Sequence, residues 1–296
     1  MQNWRPRSFS FWILLCLMLS HTQVPAQSTS DRLLATLDVQ ATMDDSSRDV
    51  HTRCSWTVGS DAFMVLRSIG NTLSTPLHWD SGDMIMAGGF FLAVSGSVLL
   101  DDEVRTVMLK NKTTLNDKLE RVGYSYGAPQ YAGPGAIAVY LSGLITDNQW
   151  LRETGIMLTE TIVTVGIIQI PLKIIVGRAR PETNEGNNSF HLLNGIAQEN
   201  SSFFSGHAAI AFGFSTVLAR QIQHPIATVA LYSLAALTPL GRMYKDRHWF
   251  SDALIGTALG IFLGNTIVSW HNLQNPTTSS FHIIPTPNGV IVSLRY

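Results

Sequence analysis

Cysteine and charge are what this chain has least of. Its 296 residues hold two cysteines: Cys16 sits in an apolar run over residues 9–19, and Cys54 stands alone downstream. No internal disulfide framework can be read from that pair. Charged residues make up 14% of the chain and the net charge is −1, which leaves no basic footprint for nucleic acid. Seven of the nine histidines (His21, His51, His78, His191, His224, His271 and His282) lack metal-ligand spacing and read as loop or helix-end residues. No repeat at a fixed period is present.

What is abundant is apolar sequence, 45% of the residues. Residues 1–26 read as a secretory signal: Arg5 and Arg7, the apolar run, then Val24-Pro25-Ala26 as a small-residue cleavage site. Residues 27–80 read as a polar arm. Residues 81–272 hold apolar stretches of helical length at 84–100, 131–146, 155–173, 207–220, 225–241 and 252–270, with a surface helix predicted over 110–121. Residues 273–296 form a tail in which Pro287-Asn288-Gly289 precedes the alternation Val290, Val292, Leu294, Tyr296, the pattern of a short hairpin. The fold expected is all-α, a helical bundle of about six core helices with a short C-terminal β-hairpin.

Several of these stretches approach the length needed to span a bilayer. A count of crossings creates a conflict. If the amino terminus is exported and 84–100, 131–146 and 155–173 all cross, Lys173 and Arg180 emerge on the cytoplasmic side. An outward-facing site then requires that 61–79 also crosses, which Asp61 and Arg67 disfavour, that at least one helix stops short of crossing, or that the bundle is exported whole. The expectation is an envelope protein with a periplasm-facing site, membrane-associated in preference to soluble and periplasmic.

Three short segments carry the chemistry: Lys173 with Arg180-Pro181, then Ser205-Gly206-His207, then Arg242 with His248 and Asp252. Phosphoryl transfer spreads charge over three equatorial oxygens, so its catalysis is mostly positioning and electrostatic stabilisation. Two arginines with planar donor forks and one lysine supply that charge without a metal or other cofactor. Ser205 opens an apolar helical run, so it reads as an N-cap whose following amides bind an anion. His248 and Asp252 lie four apart, which on a helix places them on one face, the carboxylate fixing the imidazole tautomer. His207 can then act as acid and base. Any one of these pieces alone reads as a helix end or a solvated charge; it is their combination that points to a site.

At these residues the chain resembles the type 2 phosphatidic acid phosphatase family, whose wider superfamily includes class A acid phosphatases and vanadium haloperoxidases. The pattern is lysine, six residues, Arg-Pro; Pro-Ser-Gly-His; then Ser-Arg, five residues, histidine, three residues, aspartate. The resemblance implies that Lys173, Arg180, Ser205, Gly206 and Arg242 hold phosphate, that His248 is the nucleophile, His207 the acid and Asp252 the residue orienting His248. Phe204 and Gly241 depart from the pattern, standing where proline and serine are usual. The function expected is a metal-independent phosphatase acting on phosphate monoesters or lipid phosphates through a phosphohistidine. The alternatives are a vanadate-dependent haloperoxidase and a non-catalytic scaffold of the same fold. Arg178, Lys245, Asp246 and Arg247 crowd the same loops and read as solvated loop charge, with tuning of substrate binding as the alternative.

Overall fold

The structure, a computed structural model, describes residues 58–274 and the backbone of 280–286 and 289–295. Residues 1–57, with the expected signal sequence and most of the expected polar arm, lie outside the described residues. Helix α1 spans Val58–Ser74, α2 Ser81–Ser97, α3 Asp101–Lys110, α4 Thr114–Gly127, α5 Pro129–Ile145, α6 Gln149–Val176, α7 Gly206–Ile222, α8 Pro225–Tyr244 and α9 Phe250–Gln274. A 3-10 turn, Val98–Leu100, joins α2 to α3. The described bundle is all-α, and α4 to α9 are six helices that enclose the site.

Local chemistry sets many of these boundaries. The side chains of Asp80 and Asp83 reciprocally cap the start of α2. Asn148 caps α6, its Oδ1 accepting from the Leu151 amide at 3.0 Å. Gly177 ends α6 in the left-handed region, φ 57°. The helix predicted over 110–121 breaks at residues 111–113 and restarts at Thr114, because Thr113 caps a new first turn through the Asn116 amide.

The core lies between α5, α6, α7 and α9, where Met157, Phe204, Ile210, Phe214, Leu263 and Ile267 are buried together. Helices α7 and α9 meet backbone to backbone. A Cβ added at Gly256 would fall 2.3 Å from the Ser205 carbonyl, one at Gly260 2.3 Å from that of Ala209, and one at Gly264 2.8 Å from Thr216 Cβ. These glycines recur every fourth residue, so they form one seam along α9.

Residues 58–74 of the segment read as a polar arm are helix α1, joined to the bundle by buried polar contacts. Asp61 pairs with Arg152 at 2.6 Å and accepts from the Tyr140 hydroxyl at 2.7 Å. Ser68 donates to Glu160 at 2.9 Å, and Glu160 pairs with His271 at 3.0 Å. His271 lies in the last turn of α9, a helix-end residue as expected, and it is buried there. The pattern of α1 looks loose in sequence because its polar residues find partners about ninety positions away.

Among the described residues, four helical stretches are long and apolar enough to cross a membrane: Ser81–Lys110, Gln149–Val176, Pro225–Tyr244 and Phe250–Gln274. Helices α2, α6 and α8 run toward the end that carries the sequence motifs, and α5, α7 and α9 run away from it.

The hairpin expected in the tail is not part of this bundle. Ser280–Thr286 and Gly289–Arg295 are traced as an antiparallel backbone pair, and their side chains lie outside the described residues. The hairpin remains an expectation.

Candidate active site

The three motifs converge at one end of the bundle. Lys173 comes from the last turn of α6, Arg180 from the loop that follows, Ser205 to His207 from the start of α7, Arg242 from the end of α8, and His248 and Asp252 from the start of α9. Ser205 caps α7 as expected, its Oγ facing the Ala208 amide at 3.5 Å, and its own amide donates to the Asp252 carbonyl at 3.1 Å. The first-turn amides of α7 lack intrahelical acceptors and form the positive end of that helix.

The cations surround both histidines. Burial first, then the charges of Lys173, Arg242 and Arg180, hold His248 well below the ordinary imidazole range. Burial, then Arg242, Lys173 and Arg180, pushes His207 down to about 3. Burial and Arg247 also lower Arg180, against a smaller opposing effect of Glu182. Arg180 Nη2 donates to Ser201 Oγ at 3.0 Å, while Arg180 Nε, Arg242 Nε and His207 Nε2 are buried without a hydrogen-bond partner among the described residues. Buried polar atoms are ordinarily paired. Three that are not, set among fixed cations, make a site built to receive an anion with several acceptor oxygens.

His248 is held differently from the sequence expectation. It precedes α9 by two residues and does not share a helix face with Asp252. Its Nδ1 meets the Ser202 carbonyl at 2.7 Å. A carbonyl only accepts, so Nδ1 carries the proton and Nε2 keeps its lone pair. Asp252 stands one step behind: it accepts from the Ser202 hydroxyl at 2.6 Å and from Arg178 at 2.7 Å. Ser202 thus links the carboxylate to the imidazole, the hydroxyl facing one and the carbonyl the other.

Arg178 is not a solvated loop charge. It is buried, and besides Asp252 it pairs with Asp101 of α3 at 2.7 Å and donates to Ser251 Oγ at 2.8 Å. Its place between Lys173 and Arg180 was the only sequence signal for it. Ser202 carried none. The other loop charges pair away from the histidines: Lys245 with Asp117 at 2.9 Å, Asp246 with Arg105 at 2.7 Å, and Arg247 with Glu182 at 2.6 Å.

Both departures from the pattern have a structural reason. Phe204 is buried in the core and its carbonyl accepts from Gln169 at 3.1 Å, so packing and a side-chain clamp hold the turn that a proline would otherwise stiffen. At Gly241 a Cβ would come within 3.1 Å of Glu120 on α4, and a serine would press on that helix.

The chain is similar to known proteins over this region. Residues 154–276 match the PAP2 superfamily. A lipid A 1-phosphatase of Porphyromonas gingivalis is 31% identical over 116 residues, 38% of this chain and 26% of that protein, so the chain spans about a quarter of the relative's length. Among solved structures, LpxE of Aquifex aeolicus is similar with a TM-score of 0.45 and 22% identity, over 57% of this chain and 95% of its own. The first transmembrane PAP2 type phosphatidylglycerolphosphate phosphatase from Bacillus subtilis is similar with a TM-score of 0.48 and 18% identity, over 73% of this chain and 96% of its own. The segment similar to the PAP2 superfamily, residues 154–276, contains all three motifs in order.

Proposed function

We propose that this protein is a metal-independent phosphatase of membrane lipid phosphates, working through a phosphohistidine at His248. The observation that carries the reading is the set of buried, unpartnered donors on Arg180, Arg242 and His207 between the two histidines. With the phosphoryl oxygens held by Lys173, Arg180, Arg242 and the Gly206 and His207 amides, His248 Nε2 attacks phosphorus. The P–O bond to the leaving group breaks, and His207 Nε2–H gives its proton to the departing alkoxide. Water then attacks the P–N bond, His207 takes the water proton, and His248 returns to its starting form. An imidazole depressed by three cations is neutral and nucleophilic at His248, and the bound phosphate dianion restores basicity to His207 by offsetting the same cations. Release of phosphate from a lipid phosphate in excess chelator, recovered with the membrane fraction, tests the reading; no release from lipid or aryl phosphates would sink it.

The lipid class is supported by the loop between Arg180 and Ser205. Its backbone lies along the end of α6: the His191, Leu193 and Gly195 amides donate to the carbonyls of Gly177, Ile175 and Ile174. Leu192, Leu193 and Ile196 are more than 70% exposed, and Leu193 holds φ 62°, an unfavourable backbone for a leucine. They continue the outward apolar face of α6, where Val163, Ile167, Ile170 and Ile175 are also exposed. An apolar surface at the mouth of an anion site suits a substrate with a charged head and apolar chains. Replacing Leu192, Leu193 and Ile196 together by serine is expected to lower turnover of a long-chain lipid phosphate in mixed micelles about 10-fold or more, the scale set by the apolar area that the acyl chains would no longer bury. Turnover of a soluble aryl phosphate should hold. Equal loss on both substrates would remove the loop from substrate selection.

The same reading places the site on the outer face of the membrane. Helices α2 and α6 run toward the site and α5 runs back between them, so an outward site puts the start of α2 near the inner face. The exported amino terminus expected from residues 1–26 combines with that arrangement only if one of these three helices stops short of a full crossing. In a Cys54→Ser background, Asn184→Cys is expected to react with a membrane-impermeant thiol reagent on intact cells. Asp80→Cys is expected to react only after the membrane is opened. Labelling of Asp80→Cys in intact cells, with Asn184→Cys reactive only after lysis, would turn the site inward.

A further inference from the structure

Helix α4 lies outside the matched segment, yet it touches the site. Gly123 and Gly127 share one of its faces. A Cβ at Gly123 would lie 2.4 Å from the Leu237 carbonyl of α8, and one at Gly127 2.4 Å from the His207 carbonyl of α7. Thr238 Oγ1 donates to the Gly123 carbonyl at 2.6 Å. The backbone of α4 is thereby set close against both helices, and the residue following Gly123 is Tyr124.

The Tyr124 ring stacks on the His207 imidazole, with centroids 5.4 Å apart and planes 27° apart. The Arg242 guanidinium lies 5.6 Å from the centre of the same ring. Gln130 fixes the far side, its Nε2 donating to the Tyr124 hydroxyl at 2.6 Å. The charged and titratable groups around His207 are Arg242 from α8, Lys173 from α6, Arg180 and His248 from the loops, Tyr124 from α4, and Glu120 behind Arg242. Those nearest the imidazole are mostly cations, which drive its proton away. A stacked aromatic face has the opposite effect, since its quadrupole attracts a cation above it.

We propose that Tyr124 is a positioning residue for the general acid: its ring fixes the plane of the His207 imidazole and favours the protonated form needed to expel a poor leaving group. The proposal rests on the phosphatase reading of the site. Leaving-group dependence tests it. An aryl oxide departs without a proton, whereas an alkoxide needs one, so a fault confined to the acid separates the two substrates.

The full-length protein in detergent would be assayed on nitrophenyl phosphate and on a long-chain alkyl phosphate across pH. Tyr124→Leu, with Tyr124→Met as a second ringless variant, is expected to lower kcat on the alkyl phosphate about 10- to 100-fold, within the range that acid catalysis supplies. The falling alkaline limb of kcat should move to lower pH, because loss of the ring lowers the His207 pKa in the complex. On nitrophenyl phosphate kcat should change by less than about threefold. Tyr124→Phe keeps the ring and should match the parent on both substrates. Equal losses on the two substrates with an unmoved pH limb, or a Tyr124→Phe defect as large as that of Tyr124→Leu, would overturn the proposal. A parent protein that hydrolyses neither substrate would overturn the phosphatase reading instead.

Discussion

Replacing His248 by alanine is expected to lower phosphate release by about 10⁴-fold or more on every substrate, good leaving group or poor. The size follows from the role. In the proposed mechanism His248 presents the nucleophilic lone pair, with its Nδ1–H committed to the Ser202 carbonyl, so its loss removes the bond-forming atom itself. In that mechanism Lys173, Arg180 and Arg242 hold the phosphoryl group toward Nε2, and water does not easily take its place. Rapid quenching of the parent protein with a phosphorus-labelled substrate should trap an acid-labile phosphoryl group on the chain, absent in His248→Ala. A variant that retains turnover, or a label that persists in it, would assign the nucleophile elsewhere. Asp252→Asn should be milder, because the aspartate reaches the imidazole only through Ser202.

Replacing Arg178 by leucine is expected to cost about 3–5 kcal/mol of stability, the range for removing one partner of a buried ion pair. The reason is the company it leaves. Asp101 and Asp252 are both buried, and Arg178 is the only cation with which either is paired among the described residues. Without it two carboxylates face each other across Ser251 with no counter-charge. The thermal midpoint in detergent should fall by roughly 6–20 °C, and activity should fall with it, since the Asp252–Ser202–His248 chain loses its anchor. Arg178→Lys keeps the charge but not the fork, so it should recover only part of both. A leucine variant with an unchanged midpoint would show that the carboxylates find other partners.

How much of this was legible beforehand depends on how far apart in sequence the interacting groups lie. The helices of the bundle were readable because their apolar stretches are continuous, and the three motifs because each is a local spacing. Lys173, Arg180, Ser205, Gly206, His207, Arg242, His248 and Asp252 do meet at one end of the bundle. What spacing misread was the pairing of His248 with Asp252. Four residues apart implies a shared helix face only where a helix exists, and α9 begins at Phe250. Arg178 was misread because burial is not a local property: its partner Asp101 lies 77 positions away. Tyr124 had no motif at all, and it reaches the site because two glycines let α4 come close.

The glycine seam of α9 has a consequence for how such a protein can diversify. Backbones in contact at Gly256, Gly260 and Gly264 leave no space for one helix to slide past the other by a turn, so Ser205 and Asp252 stay in register whatever is bound. The chemical half of the site is thereby a fixed plate. The loop over residues 184–200 is tied to its neighbours mainly through backbone amides, leaving its side chains free to change. New substrates can be acquired by altering residues such as Leu192 and Ile196 while the reacting groups keep their distances.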